Sequence, residues 1–184
     1  MSSSDEAARP TTRRMLGVAY GLAGAVAVLD QVSKVILVRT VPYDHAHEVI
    51  PGFFWIVHHV NRGAAFGLFQ GRMFLLGLVS IAVFAGMIYY LPKLIEGYWE
   101  RSIACGLVLG GVVGNLVDRF NLIPRPSGLK GVVDFISVDL VVYQWPAFNV
   151  ADIGITCGVG ILLVSLFCRR QPAADADNQT SAAA

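Results

Sequence analysis

Four long apolar stretches, at about 15–38, 73–92, 102–120 and 150–168, dominate the pattern of the chain. Only the second, Met73 to Pro92, is a charge-free run of the ~20 residues a membrane-spanning helix needs. Each of the others is cut short by an acid. The first runs from Met15 to Leu29 and meets Asp30, and the third runs from Ser102 to Val117 and meets Asp118. The fourth begins just after Asp152 and ends at Arg169. With both termini inside and four spans threaded, Arg14 to Asp30 is 16 residues, Arg101 to Asp118 is 17, and Arg169 back to Asp152 is 17. At about 1.5 Å per residue, each acid lies about 24–26 Å up a ~30 Å hydrocarbon core. Three acids distant in sequence are therefore expected in one layer, just inside the outer interface. A modest excess of Lys and Arg in the segments assigned inside leans the same way.

The connection from Val41 to Gly71 is not simply polar. It holds Pro51-Gly52, then an aromatic and β-rich run from Phe53 to Val60, and it predicts short strands at the membrane surface. Val132–Val138 in the connection from Asn121 to Phe148 is a further predicted strand. Small residues at four-residue spacing mark the helices: Gly17, Gly21 and Ala25; Ala82 and Gly86; Gly106, Gly110 and Gly114; Gly154 and Gly158. Such stripes let helix backbones approach closely, as a compact four-helix bundle requires. Residues 1–14 and 171–184, rich in Ser, Ala and Asp, are expected to be disordered cytoplasmic tails around one domain at 15–168. Arg13-Arg14 and Ala25-Val26-Ala27 would suit a cleavable leader, but apolar character resumes at Val35–Val38, so an uncleaved first helix is expected.

Composition agrees with a membrane chain. The hydrophobic content is 55% of 184 residues, and the mean hydropathy is +0.59. A net charge of +1 with no basic stripe leaves no footprint for nucleic acid. Cys105, Cys157 and Cys168 all lie in apolar runs and read as packing residues.

Polar residues near a bilayer are costly and mark function. Asn115 and Asp118 share a helix face, as do Asn149 and Asp152. The second pair also suits a helix N-cap, with Asp152 in the first turn. Asp30 with Lys34, and Asp118 with Arg119, read as ion pairs. Carboxylates crowded in low dielectric cannot all ionise comfortably, so at least one should hold a proton. Asp134 and Asp152 have no adjacent base and are the candidates to share it. Asp139, five residues beyond Asp134, competes for the same role on the residues alone. A proton-sharing pair can activate water with one member while the other polarises a carbonyl.

Five blocks then stand in order: Asp30-Gln-Val-Ser-Lys34, Asn61-Arg-Gly-Ala-Ala-Phe-Gly67, Gly110 to Arg119, Val132-Val-Asp-Phe-Ile136 and Phe148-Asn-Val-Ala-Asp152. Together they resemble the lipoprotein signal peptidases (signal peptidase II) of bacteria, across all four spans and both outer connections. The resemblance implies an α-helical integral membrane protein with four transmembrane helices, a small extracytoplasmic β-cradle, an extra outer helix and an amphipathic outer connection. It implies an aspartic endopeptidase of the inner membrane that cuts prolipoproteins before a diacylglyceryl-modified cysteine. Asp134 and Asp152 become the catalytic pair. Asp30, Lys34, Asn61, Arg62, Asn115, Asp118, Arg119 and Asn149 become supporting or substrate-binding residues. No cofactor or metal is expected. The expected partners are prolipoproteins and membrane lipid, with the chain a monomer.

Two other classes compete. A transporter or ion pathway would also hold acids in a bundle, though more typically at mid-bilayer and with broken helices or repeats. A metallopeptidase could draw on His45, His47, His58 and His59 beside Asp44 and Glu48. Against it, His58 and His59 would point to opposite faces of a strand, and no His-Glu-x-x-His occurs.

Overall fold

The computed structural model describes residues 12–63, 68–95, 97–124, 128–140, 143 and 145–168. Helix α1 spans Thr12–Thr40, α2 Met73–Ile95, α3 Trp99–Arg119 and α4 Val150–Cys168. All four are long and apolar enough to cross a membrane. The molecule is a multi-pass membrane protein, and its large apolar side chains face outward, among them Leu29 and Ile36 on α1, Phe74 on α2 and Phe167 on α4. Water would not tolerate that surface on a monomer, whereas lipid favours it.

α3 is the hub. In its most apolar window 61% of residues are buried inside the protein, against 11–22% for the other helices. Its small residues make this possible. A methyl at Gly106 would lie 2.7 Å from the Ala19 carbonyl oxygen of α1, and one at Gly110 2.6 Å from that of Ala23. Gly111 faces the Ala151 carbonyl of α4 in the same way, and Gly158 of α4 meets Ala104. The expected stripes therefore hold on α3 and α4. Gly17, Gly21 and Gly86 have open space instead, because α1 meets α3 through Ala19 and Ala23.

Strands β1 (Ala46–Ile50), β2 (Phe54–Asn61) and β3 (Val132–Val138) form one antiparallel sheet in that order. At 29 residues α1 is about 43 Å long, more than a bilayer core needs. Its surplus end seats the sheet: Leu37 packs with Val60, Val133 and Phe135 in one buried cluster. The other edge of β3 is held by Phe148, whose N–H and carbonyl both bond the Ile136 backbone at 2.9 Å. That bridge fixes the entry to α4 beside β3.

The helices outrun their apolar cores. Thr12 to Arg14, expected in the tail, form the first turn of α1, and α2 continues past Pro92 to Ile95. So close to a helix end the proline costs one hydrogen bond in the last turn rather than breaking the interior. Residues 1–11 and 169–184, which hold most of the expected tails, lie outside the described residues, as do parts of both outer connections. Among the described residues no fifth helix occurs.

Gly111→Ala is expected to cost about 1–3 kcal/mol by forcing α3 and α4 apart. Gly86→Ala, in open space, should be neutral or slightly stabilising. Thermal unfolding in detergent would read the difference, and equal midpoints would contradict the close helix contact.

Candidate active site

The polar layer begins with a buried cation. Lys34 on α1 has no exposed side-chain surface, and its Nζ meets three acceptors. They are Asp30 Oδ2 at 2.7 Å, Asp118 Oδ2 at 2.9 Å and Asn115 Oδ1 at 3.2 Å. An ammonium has three protons, so all are used. Asp118 thus bridges to Lys34, which the sequence did not suggest, and it also lies in the field of the adjacent Arg119. Residues 30 and 34 meet by helical spacing, and α3 supplies the rest from its own i, i+3 pair. Each carboxylate also fastens a backbone: Asp30 Oδ1 accepts the Ala151 N–H at 3.0 Å, and Asp118 Oδ2 accepts the Val133 N–H at 3.2 Å. One cation thereby ties α1, α3, α4 and β3 together.

A second pair of carboxylates sits beside this layer. Asn149 and Asp152 close a reciprocal cap at the start of α4: the Asp152 N–H donates to Asn149 Oδ1 at 3.0 Å, and the Asn149 N–H donates to Asp152 Oδ2 at 3.2 Å. Asn149 Nδ2 remains free of the cap and donates to Asp134 Oδ1 at 2.7 Å and to Asn115 Oδ1 at 3.3 Å. Asn61 Nδ2 reaches Asp134 Oδ2 at 3.1 Å, and Asn115 Nδ2 reaches Asp152 Oδ1 at 2.8 Å. Asn149 therefore bonds both carboxylates, one through its side chain and one through its backbone. Burial, and next the negative charge of Asp152, push the Asp134 carboxyl up to about 7; hydrogen bonds from Asn61 and Asn149 and the charge of Lys34 oppose the rise. Asp134 is buried, and Asp152 is only half-buried.

Asp139 stands apart from this group. Asp139 lies five residues on, about 17 Å along an extended strand. Its N–H bonds the Phe53 carbonyl at the far end of the sheet. Arg119 is half-buried in the field of Asp152, Asp134 and Asp118, and its Nε is buried without a hydrogen-bond partner. Arg62 stands apart: it is exposed and lines a groove of about 440 Å³ with Met73, Leu129 and Lys130. Gln31 was not foreseen, yet its Nε2 spans Asp30 Oδ2, the Gly114 carbonyl and Asp118 Oδ1 at 2.9–3.2 Å. Its only sequence signal was its place between Asp30 and Lys34. Among the described residues no three His, Cys, Asp or Glu side chains are disposed to hold a metal ion. His58 spends Nδ1 on the Val41 carbonyl, 2.8 Å away.

Helices long and apolar enough to span a membrane carry a small sheet, and a buried layer of carboxylates and amides lies where they meet, which defines a carboxylate site in a membrane protein. Residues 22–168 match the family model described as signal peptidase (SPase) II. The lipoprotein signal peptidase of Geobacillus thermodenitrificans is 39% identical over 148 residues, covering 80% of this chain and 88% of that one. That of Bacillus subtilis is 34% identical over 147 residues, covering 80% and 91%. A bacterial membrane enzyme solved in meso at 2.3 Å resolution superposes with a TM-score of 0.75 at 31% identity, over 85% of this chain and 93% of its own. The chain belongs to the signal peptidase II family.

Lys34→Met would leave Asp30 and Asp118 facing each other without their shared ammonium. The expected cost is about 3–5 kcal/mol, as when one partner of a buried pair is removed. An unfolding midpoint equal to that of the parent protein would contradict the role given to Lys34.

Proposed function

We propose that this chain is an aspartic endopeptidase that removes the signal peptide from prolipoproteins, cutting before a diacylglyceryl-modified cysteine with Asp134 and Asp152. The observation that carries the reading is Asn149, which bonds both carboxylates at once. Family membership supports the substrate class.

The steps follow from the two environments. Asp152, less buried and bonded by Asn115, accepts a proton from water as the hydroxide oxygen adds to the scissile carbonyl carbon. Asp134, held protonated by burial and by the charge of Asp152, donates a hydrogen bond to the carbonyl oxygen. The unpartnered Nε–H of Arg119 is a further donor for the developing oxyanion. The tetrahedral intermediate then collapses: the carbon–nitrogen bond breaks, and the proton held by Asp152 passes to the departing amine. No covalent enzyme intermediate forms.

Asp30, Lys34, Asn61, Asn115, Asp118 and Asn149 hold this pair in place, and Arg62 lies on the approach. Counting from the basic anchors supports both termini in the cytoplasm and the dyad near the outer leaflet of the inner membrane, where a lipidated cysteine resides. Residues 15–168 act as one peptidase domain, and the chain works as a monomer.

Purified protein in nanodiscs is expected to cleave a diacylglyceryl-modified prolipoprotein before the cysteine, with or without a chelator, and to leave the unmodified precursor largely intact. Mass spectrometry of the products reads the cut. Since the reaction needs a proton on Asp134, kcat/KM should be sustained below pH about 7 and fall as pH rises through it. Complete loss in chelator, or activity that climbs above pH 7, would overturn the reading.

A further inference from the structure

A second cavity, of about 320 Å³, lies against the sheet. Its walls include Asp44, His45, His58, His59, Ser137 and Trp145. It is not remote from the dyad. His59 is the cross-strand partner of Asp134 in the β2–β3 register, and Ser137 follows Asp134 by three residues, about 10 Å. The segment that carries Trp145 leads directly into Phe148 and Asn149.

The wall holds two acceptor groups, on His58 and Asp44. His58 is buried, and its Nδ1 faces the Val41 carbonyl, which can only accept, so Nδ1 carries the hydrogen. In the neutral ring Nε2 then keeps its lone pair, and that atom is buried with no partner among the described residues. A buried polar atom left unsatisfied costs free energy, which a bound donor would recover. Asp44 adds an exposed carboxylate at the rim. Such a site favours a donor and repels an anion.

Distance and direction identify what reaches it. Val41 lies eleven residues past Asp30 on the chain leaving α1, so the cavity is on the side of the acid layer away from the bilayer. An extended substrate advances about 3.3 Å per residue, so its second or third residue from the cut spans the gap. We propose that this cavity is a specificity subsite for a hydrogen-donating side chain of the substrate, one or two residues beyond the modified cysteine. This rests on the peptidase reading above, because it takes the cut bond to lie at Asp134 and Asp152.

The test uses the full chain in nanodiscs and lipidated prolipoproteins carrying Asn, Lys, Leu or Asp at those two positions. Asn and Lys should exceed Leu by about three- to tenfold in kcat/KM, the range of one net hydrogen bond, with Asp lowest. His58→Phe should erase the Asn preference over Leu. Because His58 is buried and that variant could misfold, Asp44→Asn and His59→Leu provide surface tests. Asp44 has φ 61°, a conformation that Asn also adopts, and its replacement should shrink the Lys-to-Asp ratio. A flat panel, or ratios unchanged in Asp44→Asn and His59→Leu, would overturn the subsite while leaving the peptidase intact. Failure to cleave any member would overturn the peptidase reading, and the subsite with it.

Discussion

The structure depends on one ammonium group withdrawn from both water and lipid. Lys34 is fully buried, and each of its three protons is used, on Asp30, Asp118 and Asn115. A buried ion pair is a weak source of net stability, since desolvation offsets most of the attraction. Its consequence here is register. Asp30 and Asp118 can both stay in the bundle only if α1 and α3 meet at one height. The other oxygen of Asp30 then accepts the Ala151 N–H, and the same oxygen of Asp118 that meets Lys34 accepts the Val133 N–H. The entry to α4 and the start of β3 are thereby fixed to the same point.

That constraint divides the acids by the company they keep. Asp30 and Asp118 have a cation within salt-bridge distance, whereas Asp134 and Asp152 are met by the amides of Asn61, Asn115 and Asn149. Amides orient a carboxylate without neutralising it. Two such carboxylates in a half-dry site favour a shared proton, the state that an aspartyl hydrolase needs. Capping α4 and holding Asp134 are not competing explanations of Asn149. Its Oδ1 caps α4, and its Nδ2 holds Asp134.

Helical periodicity is what made much of this legible. The four spans and the common depth of Asp30, Asp118 and Asp152 followed from counting residues at a fixed rise. Strand register has no such ruler. Asp134 and Asp139 could not be separated from local residues, because the separation depends on the Phe148–Ile136 bridge, a backbone contact that leaves no side-chain pattern. β1 gave no signal of its own, since all five of its residues are exposed and no alternation marks them. Lys34 showed its i, i+4 partner but not Asp118, 84 positions away and reached only once α1 and α3 pack. Gln31 was hidden for the same reason.

The proposed mechanism requires that Asp134 and Asp152, and not Asp139, carry the chemistry. Its most direct test is the single-turnover rate of prolipoprotein cleavage by Asp134→Asn, Asp152→Asn and Asp139→Asn, each first verified as folded by its unfolding midpoint. A loss on the order of a thousandfold is expected at 134 and at 152, with 139 close to the parent rate. Near-parental cleavage by either of the first two, or a comparable loss at 139, would contradict it.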